Sequence, residues 1–222
     1  MDPALYITSV LVYKYRGMVK RPNPPDHLTR LVALARRSGI LRAQELAAAG
    51  IPRLYLGLAV ERGLLTRVDR GIYALPNQTL AEPSLATVCA KVPQGIVCLL
   101  SALRFHRLGT QIPPQVHLAI GNKDRAPKIN FVKVVYYRFS GSAFRKEIET
   151  RRDAGSTIRV YSVAKTIADC FKFRHKLGLD VAVEALRAGI RERRTTVDDL
   201  VRCSRICRVE WVMRPYLEAI LS

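Results

Sequence analysis

Three arginines fall within sixteen residues that otherwise have the pattern of a short β-hairpin. The segment ERGLLTRVDRGIYALP, residues 61–76, contains Arg62, Arg67 and Arg70. Guanidinium groups bind phosphate oxygens through paired, charge-assisted hydrogen bonds. The residue types therefore indicate binding of a polyanion rather than the making or breaking of bonds.

The charge of the whole chain favours the same partner class. The 222 residues include 37 Lys and Arg against 18 Asp and Glu, a formal net charge of +19. Nucleic acid is the commonest polyanion for such a protein, because neutralising its phosphates releases counterions. A membrane surface is the second candidate, and the neutral explanation is an Arg-rich composition that follows from a GC-rich genome.

Catalytic patterns are weak in this sequence. Ser162 and Lys165 match S-x-x-K, a nucleophile motif of some acyl-transfer enzymes, but neither SDN nor KTG follows and Ser162 is better explained as a helix cap. No phosphate-binding loop or dinucleotide fingerprint is present. Three acids that a metal nuclease would need to cluster are scattered along the chain: Asp124, Asp153 and Asp169. We expect no enzyme and no cofactor.

The cysteine and histidine spacings do not predict a metal site. Five cysteines, an odd number without a regular framework, indicate a reducing cytoplasm and thiols packed in the core. Cys203 and Cys207 share a helix face, but no second pair completes a site. The apolar run at residues 5–13 is too short to span a bilayer, so we expect a cytoplasmic protein.

The N-terminal elements can be read from caps, glycines and apolar spacing. We expect one helix after Asp26 that stops at Gly39, and a short helix, opened by Arg42 and Gln44, that closes at Gly50. A further helix follows Pro52 and ends near Arg62. Strands at 64–67 and 72–75 flank the turn at 69–71. Three helices and a two-stranded ribbon predict a winged helix-turn-helix.

The second helix of the pair is the candidate recognition helix. Its predicted buried face carries Ile51, Leu56, Ala59 and Val60, with Leu58 pointing outwards. Its exposed first turn can read bases, and the wing can follow the backbone or the minor groove. From these positions alone, the predicted DNA-contacting residues are Arg42, Gln44, Arg53, Leu54, Tyr55, Arg67 and Arg70.

The rest of the chain predicts a mixed α/β domain, so the fold class is α+β. Two helices separated by a break fill 86–109, strands lie at 116–120, 133–139 and 157–161, and helices follow Ser162 to the end. We expect three segments: an N-terminal extension at 1–25, the winged helix-turn-helix at 26–80 and the α/β domain at 81–222. The extension can be a flexible arm, an added strand or a misassigned start.

Three strings resemble a known family. GIPRLYLGLAVERGLLTRVDRGIYALP resembles the winged helix of the AbiEi antitoxins, and LSALRFHRLGTQIPPQVHLAI and IRVYSVAKTIADCFKFRHKLGLDVAVEALR resemble their C-terminal domain. The resemblance implies a transcriptional repressor that binds inverted repeats in its own promoter, as a monomer that binds cooperatively. It also implies neutralisation of a nucleotidyltransferase-like AbiEii toxin, with direct contact left open, by the C-terminal domain.

The resemblance also marks individual residues. In and beside the recognition helix it marks Arg53, Tyr55 and Arg62, and in the wing Arg67, Arg70 and Tyr73. Leu58 departs from the polar or basic residue that relatives often have. In the second domain the motif covers Ser162, Lys165, Thr166 and Asp169, whose role the residues leave open between function and helix packing.

Three other functions stay open at this stage. The chain can be a regulator that has no toxin, a basic protein- or RNA-binding module, or an enzyme that processes nucleic acid. The missing acid cluster argues against the enzyme.

Overall fold

The computed structural model describes residues 26–76, 85–153 and 156–222. The predicted extension at 1–25 lies outside the described residues. Within them no helix is both long and apolar enough to cross a membrane.

The first described segment contains three helices and three short strands. In chain order they are α1 (His27–Ser38), β1 (Ile40–Arg42), α2 (Glu45–Ala48), α3 (Leu54–Glu61), β2 (Thr66–Asp69) and β3 (Ile72–Ala74). α1 ends at Gly39, whose φ of 64° suits a residue without a Cβ. The predicted helix after Asp26 is confirmed, and so is the helix after Pro52.

Strand β1 corrects the prediction for residues 40–42. Arg42 does not open a helix; it ends a strand that pairs antiparallel with β3, with Leu41 opposite Tyr73 and Arg42 opposite Ile72. The ribbon is therefore a three-stranded sheet in the order β1-β3-β2. This segment forms a strand because both of its faces are buried. Ile40 and Leu41 point to opposite faces and pack into different cores.

The second part of the chain forms a five-stranded mixed sheet with helices around it, in the order β6-β5-β4-β8-β7. The strands are β4 (Ile96–Val97), β5 (Val116–Gly121), β6 (Val134–Phe139), β7 (Ile148–Asp153) and β8 (Ser156–Tyr161). The helices are α4 (Leu85–Lys91), α5 (Leu99–His106), α6 (Gly141–Arg145), α7 (Val163–Lys172), α8 (Arg174–Leu177), α9 (Leu179–Arg191), α10 (Val197–Cys207) and α11 (Glu210–Leu221). The three strands predicted here are confirmed.

The main core lies between this sheet and the C-terminal helices. Helix α7 packs against α5, α9 and α10, and its side chains Ile167 and Phe171 are fully buried. The predicted helix cap at Ser162 is confirmed, because its Oγ accepts from Lys165 N–H. Thr196 caps α10 in the same way, with Oγ1 accepting from Asp199 N–H. All five cysteines are free and buried, as the sequence predicted.

The small three-stranded sheet lies between the N-terminal helices and α4. On one face Leu41 packs with Leu46 and Leu56. On the other face Ile40 and Ile72 share a core with residues of α4 and the mixed sheet. The sheet therefore fixes the N-terminal helices against the second part of the chain through apolar contacts on both faces.

Candidate nucleic-acid interface

A tight turn sets α3 against α2. Leu46 is fully buried, and its carbonyl accepts from the backbone N–H of Ile51 at 2.9 Å. Gly50 adopts a φ of 63°, which reverses the chain between the helices. Arg30 of α1 donates from Nη2 to the carbonyl of Ala49 at 2.6 Å and fixes the turn from outside.

The first turn of α3 presents the predicted reading residues to solvent. Arg53 is exposed, and Leu54 is 63% exposed. Tyr55 is half-buried, with its ring 4.8 Å from that of His27 at the start of α1. One turn later Gly57 is exposed with nothing near the position of a Cβ. The outward surface of α3 therefore combines a cation, an apolar side chain and open backbone.

For two side chains of α3 the observed burial differs from the prediction. Val60 was expected in the core and is exposed, whereas Leu58 was expected outside and packs against the core beside Leu56. At 100° per residue Val60 lies about 40° from Leu56 and Leu58 about 160° from it, so helix periodicity alone favours the prediction and does not explain the observed exposure of these two residues. Leu58 is half-buried against the N-terminal core, so it is not open on the outer surface of α3.

The residues predicted to contact DNA at the end of α3 and in the β2–β3 hairpin differ in their exposure to solvent. Arg62 follows the last turn of α3 and is exposed. Arg67 is also exposed and lies opposite Tyr73 in the β2–β3 register. Tyr73 is half-buried against the N-terminal core, so its ring supports the sheet.

The hairpin turn at Asp69, Arg70 and Gly71 is fixed to α4. Asp69 Oδ1 accepts from the backbone N–H of Arg70 at 2.6 Å, and Gly71 has a φ of 77°. Lys91, the last residue of α4, lies with Nζ 3.2 Å from Asp69 Oδ2 and donates to the Arg70 carbonyl at 2.7 Å. The Arg70 side chain stays exposed on a turn whose backbone is held. Lys91 was not predicted, since no local pattern links it to a turn twenty residues earlier.

Arg42 and Gln44 lie beside this turn. With Arg70 and Lys91 they line a cavity of about 320 Å³. Arg42 Nε is 2.8 Å from Glu45 Oε1, and its backbone N–H donates to Glu45 Oε2 at 3.1 Å. Glu45 therefore neutralises part of the Arg42 charge. Gln44 directly precedes α2, which agrees with a place at the opening of that helix.

The second-domain motif lies in the core rather than on this surface. Lys165, Thr166 and Asp169 are fully buried. Lys165 Nζ and Asp169 Oδ2 are 2.5 Å apart, and the Nζ lies 4.0 Å from the ring centroid of Tyr161. Thr166 Oγ1 donates to the Tyr161 carbonyl at 3.2 Å, whereas Ser162 caps the helix.

The environment of Asp169 is that of a buried ion pair. Burial raises the pKa of its carboxyl, and Lys165 offsets part of that rise. Cys207 Sγ donates to Asp169 Oδ1 at 3.3 Å and satisfies the second oxygen. With neither Lys165 nor Asp169 open to solvent, the geometry of the motif is that of a core hydrogen-bond network.

No metal-ligand cluster of three His, Cys, Asp or Glu occurs in residues 26–76, 85–153 and 156–222. His106 Nε2 lies 2.7 Å from the Tyr161 carbonyl, which can only accept, so that nitrogen carries the proton. His117 is buried with neither ring nitrogen hydrogen-bonded, and burial lowers its pKa to about 4. Both histidines belong to the core.

Comparisons with known proteins agree with the N-terminal geometry. The family model described as "Transcriptional regulator, AbiEi antitoxin" matches residues 30–76, which run from α1 to the end of the hairpin. The predicted resemblance is confirmed over this segment. A search of curated proteins finds no match.

One solved structure shares the fold over most of the chain. It is the crystal structure of the RV2827C protein from Mycobacterium tuberculosis, with a TM-score of 0.53 and 16% sequence identity. The match covers 88% of this chain and 82% of that one. At this identity the likeness concerns the fold alone.

Proposed function

We propose that this chain is a winged helix-turn-helix protein that binds double-stranded DNA in its own promoter and represses transcription. The AbiEi match at residues 30–76 is the observation that carries this proposal. The order helix, strand, helix, helix and β-hairpin over the same residues supports it. The protein acts by binding and not as an enzyme, and its place is the cytoplasm.

In the proposed complex α3 enters the major groove. Arg53 reads a guanine, and Leu54 contacts a thymine methyl from the same turn. Gly57 has no side chain, so the phosphate backbone or a base edge can come close to the helix there. Tyr55, held by His27, donates to a phosphate.

The hairpin supplies the backbone contacts of this complex. Arg67 and Arg70 bind phosphates or the minor groove, with Arg62 beside them at the end of α3. Arg42 and Gln44 take a smaller part, since Glu45 competes for the Arg42 guanidinium. Tyr73 acts through packing. The protein is a monomer that binds inverted repeats cooperatively.

We further propose that the chain is an antitoxin against a nucleotidyltransferase-like toxin of the AbiEii type. This role rests on the family description and is assigned to the second domain, whose core is held by the Lys165–Asp169 pair. That pair is a positioning element, because its buried atoms cannot touch a partner. Whether the toxin is bound directly is left to experiment.

A transcription assay tests the regulatory role. A reporter under the chain's own upstream DNA is expected to be repressed by the wild-type chain and released by the double substitution R53A/R62A. A reporter under an unrelated promoter controls for general effects of a basic protein. Equal expression from the first reporter with and without the wild-type chain would refute autorepression.

A growth assay tests the antitoxin role separately. Cells that express a nucleotidyltransferase-like toxin of the AbiEii type are expected to recover when the full-length chain is co-expressed, and also with R53A/R62A. Failure of both chains to restore growth would refute the antitoxin role and leave the regulator intact.

A further inference from the structure

We propose that the β7–β8 hairpin of the second domain is a second DNA-contacting ribbon, in which Arg152 and Arg159 bind backbone phosphates beside the helix-turn-helix. The inference rests on the proposed DNA binding and extends its footprint into the α/β domain. Sequence patterns did not predict this hairpin, because β7 has Ile148 as its sole aliphatic side chain.

The register of the two strands places both arginines on one face. Arg152 pairs with Thr157, and Thr150 pairs with Arg159. Directly opposed residues and those two positions apart share a face of an antiparallel sheet. The opposite face of β8 carries Ile158 and Val160, which are buried. The arginine face is therefore the one that extends away from the α4 core.

The hairpin lies next to the helix-turn-helix. A cavity of about 280 Å³ is lined by Arg42 and Glu45 on one side and by Ser156 and Thr157 on the other. Pro93 lines this cavity and also the neighbouring one that Arg70 lines. The start of α2, the turn of the β2–β3 hairpin and the β7–β8 hairpin thus border one continuous surface.

The charges on this face are not neutralised within the described part of the chain. Arg152 is exposed and contacts no carboxylate there. Arg159 Nη1 donates to the carbonyl of Gln94 at 3.1 Å and lies 3.4 Å from its Oε1, so neutral groups orient the guanidinium. Arg151, on the opposite face, lies 3.0 Å from Glu149. The Arg151–Glu149 ion pair therefore lies on one face of the hairpin, and Arg152 and Arg159, neither of which contacts a described carboxylate, lie on the other.

This pattern fits a phosphate backbone. A DNA duplex held on α3 extends past the contacted bases on both sides, and its phosphates continue along the protein surface. Arg152 and Arg159, on a hairpin that borders the start of α2, would meet that extension. An acidic protein partner would not require a position next to the start of α2, so it becomes the alternative outcome of the test.

The substitution R152A/R159A tests the proposal, with R145A/R187A as a control that removes the same charge from exposed positions on α6 and α9. The probes are a duplex of the chain's own upstream DNA and a scrambled duplex. Each lost phosphate contact lowers the slope of log affinity against log salt by about 0.9. We expect a slope smaller by about 2 and an affinity roughly 50-fold weaker at about 0.1 M salt, on both duplexes. The control should match the wild type.

Failure of this proposal differs from failure of the proposed function. An unchanged slope for R152A/R159A, while R53A loses its preference for the upstream duplex, overturns the second ribbon and leaves the regulator standing. A wild-type chain without preference overturns the regulator itself. If R152A/R159A keeps full DNA affinity but loses binding to a purified AbiEii-type toxin that the wild-type chain binds, the hairpin belongs to a protein interface and the second ribbon is overturned. A thermal melt monitored by circular dichroism confirms that the variant is folded.

Discussion

At the scale of single residues, the proposed base reading depends on the side chains at the start of α3. Arg53 is exposed and forms no ion pair within the described residues, so its guanidinium is available to a base edge. Leu54 is 63% exposed, and in the proposed complex a thymine methyl would cover it. Leu58 lies against the core, so the proposed base reading is limited to the first turn and the open backbone at Gly57.

Substituting Arg53 by Ala should reduce sequence preference more than affinity for DNA in general. A bidentate contact to guanine contributes about 1–3 kcal/mol of discrimination. Titration of R53A with the upstream and scrambled duplexes measures this, with R187A as the charge-matched control. An equal loss on both duplexes would show that Arg53 contacts phosphate.

The buried pair Lys165–Asp169 predicts an asymmetric response to mutation. Asp169→Asn leaves the Lys165 cation without its counter-charge in an apolar core, which should lower the free energy of unfolding by about 3–5 kcal/mol. Removing both charges with K165M/D169L should cost less. Urea unfolding gives both values, and a single variant that is as stable as the wild type would contradict the pairing.

His117 predicts a loss of stability in mild acid. Burial lowers its pKa from 6.5 to about 4, so the unfolded chain binds a proton in this interval that the folded chain does not. Stability should therefore fall as pH falls through this window, by about 2 kcal/mol between pH 7 and pH 5 for this group. His106, whose pKa burial also lowers, adds to the same trend.

Urea unfolding of the wild type and of H117L at both pH values isolates the His117 contribution. The variant is expected to lose less stability than the wild type over the same interval. Identical losses would show that His117 is hydrated or hydrogen-bonded in the folded protein.

At the scale of elements, the β2–β3 hairpin carries exposed arginines on a turn whose backbone is held by other residues. Its backbone is determined by Gly71, the Asp69 side chain and Lys91, none of which is an arginine that we assign to DNA. The arginine side chains can therefore be removed without changing the turn.

For R67A/R70A we expect weaker binding to every duplex and a salt slope smaller by about 0.9 for each lost contact. The preference for the upstream sequence should persist, because α3 is untouched. Anisotropy titrations at several salt concentrations, with R145A/R187A alongside, provide the measurement. An unaltered slope would remove the hairpin from the interface.

The elements also show which parts of the fold local sequence determines. α1 and α3 were predictable because apolar spacing and a terminal glycine, Gly39 or Gly63, coincide. β1 was missed because its three residues are too short for a period and are stabilised by pairing with β3. β4 and β7 were missed for related reasons, since β4 has two residues and β7 is a polar edge strand.

The sequence predicted which residue types are exposed in the candidate site, but it did not predict the contacts that those residues make with other elements. Exposure of Arg53, Arg67 and Arg70 followed from helix and turn spacing. The Glu45 partner of Arg42 and the role of Lys91 depend on contacts between elements, which no local pattern records.

At the scale of the whole molecule, the N-terminal sheet holds the two halves in one arrangement. Ile40 and Ile72 pack against α4, and the β7–β8 hairpin borders α2. In the proposed complex, Arg152 and Arg159 of the second half would add phosphate contacts to those of the N-terminal half on the same duplex.

The most direct test of sequence-specific DNA binding is an anisotropy titration of the full chain. The labelled duplexes are its own upstream DNA and a scrambled control, at about 0.1 M and 0.3 M salt. We predict that the upstream duplex is preferred and that the preference persists at the higher salt, because base contacts depend less on salt than phosphate contacts. Equal and steeply salt-dependent binding to both duplexes would contradict a sequence-specific regulator.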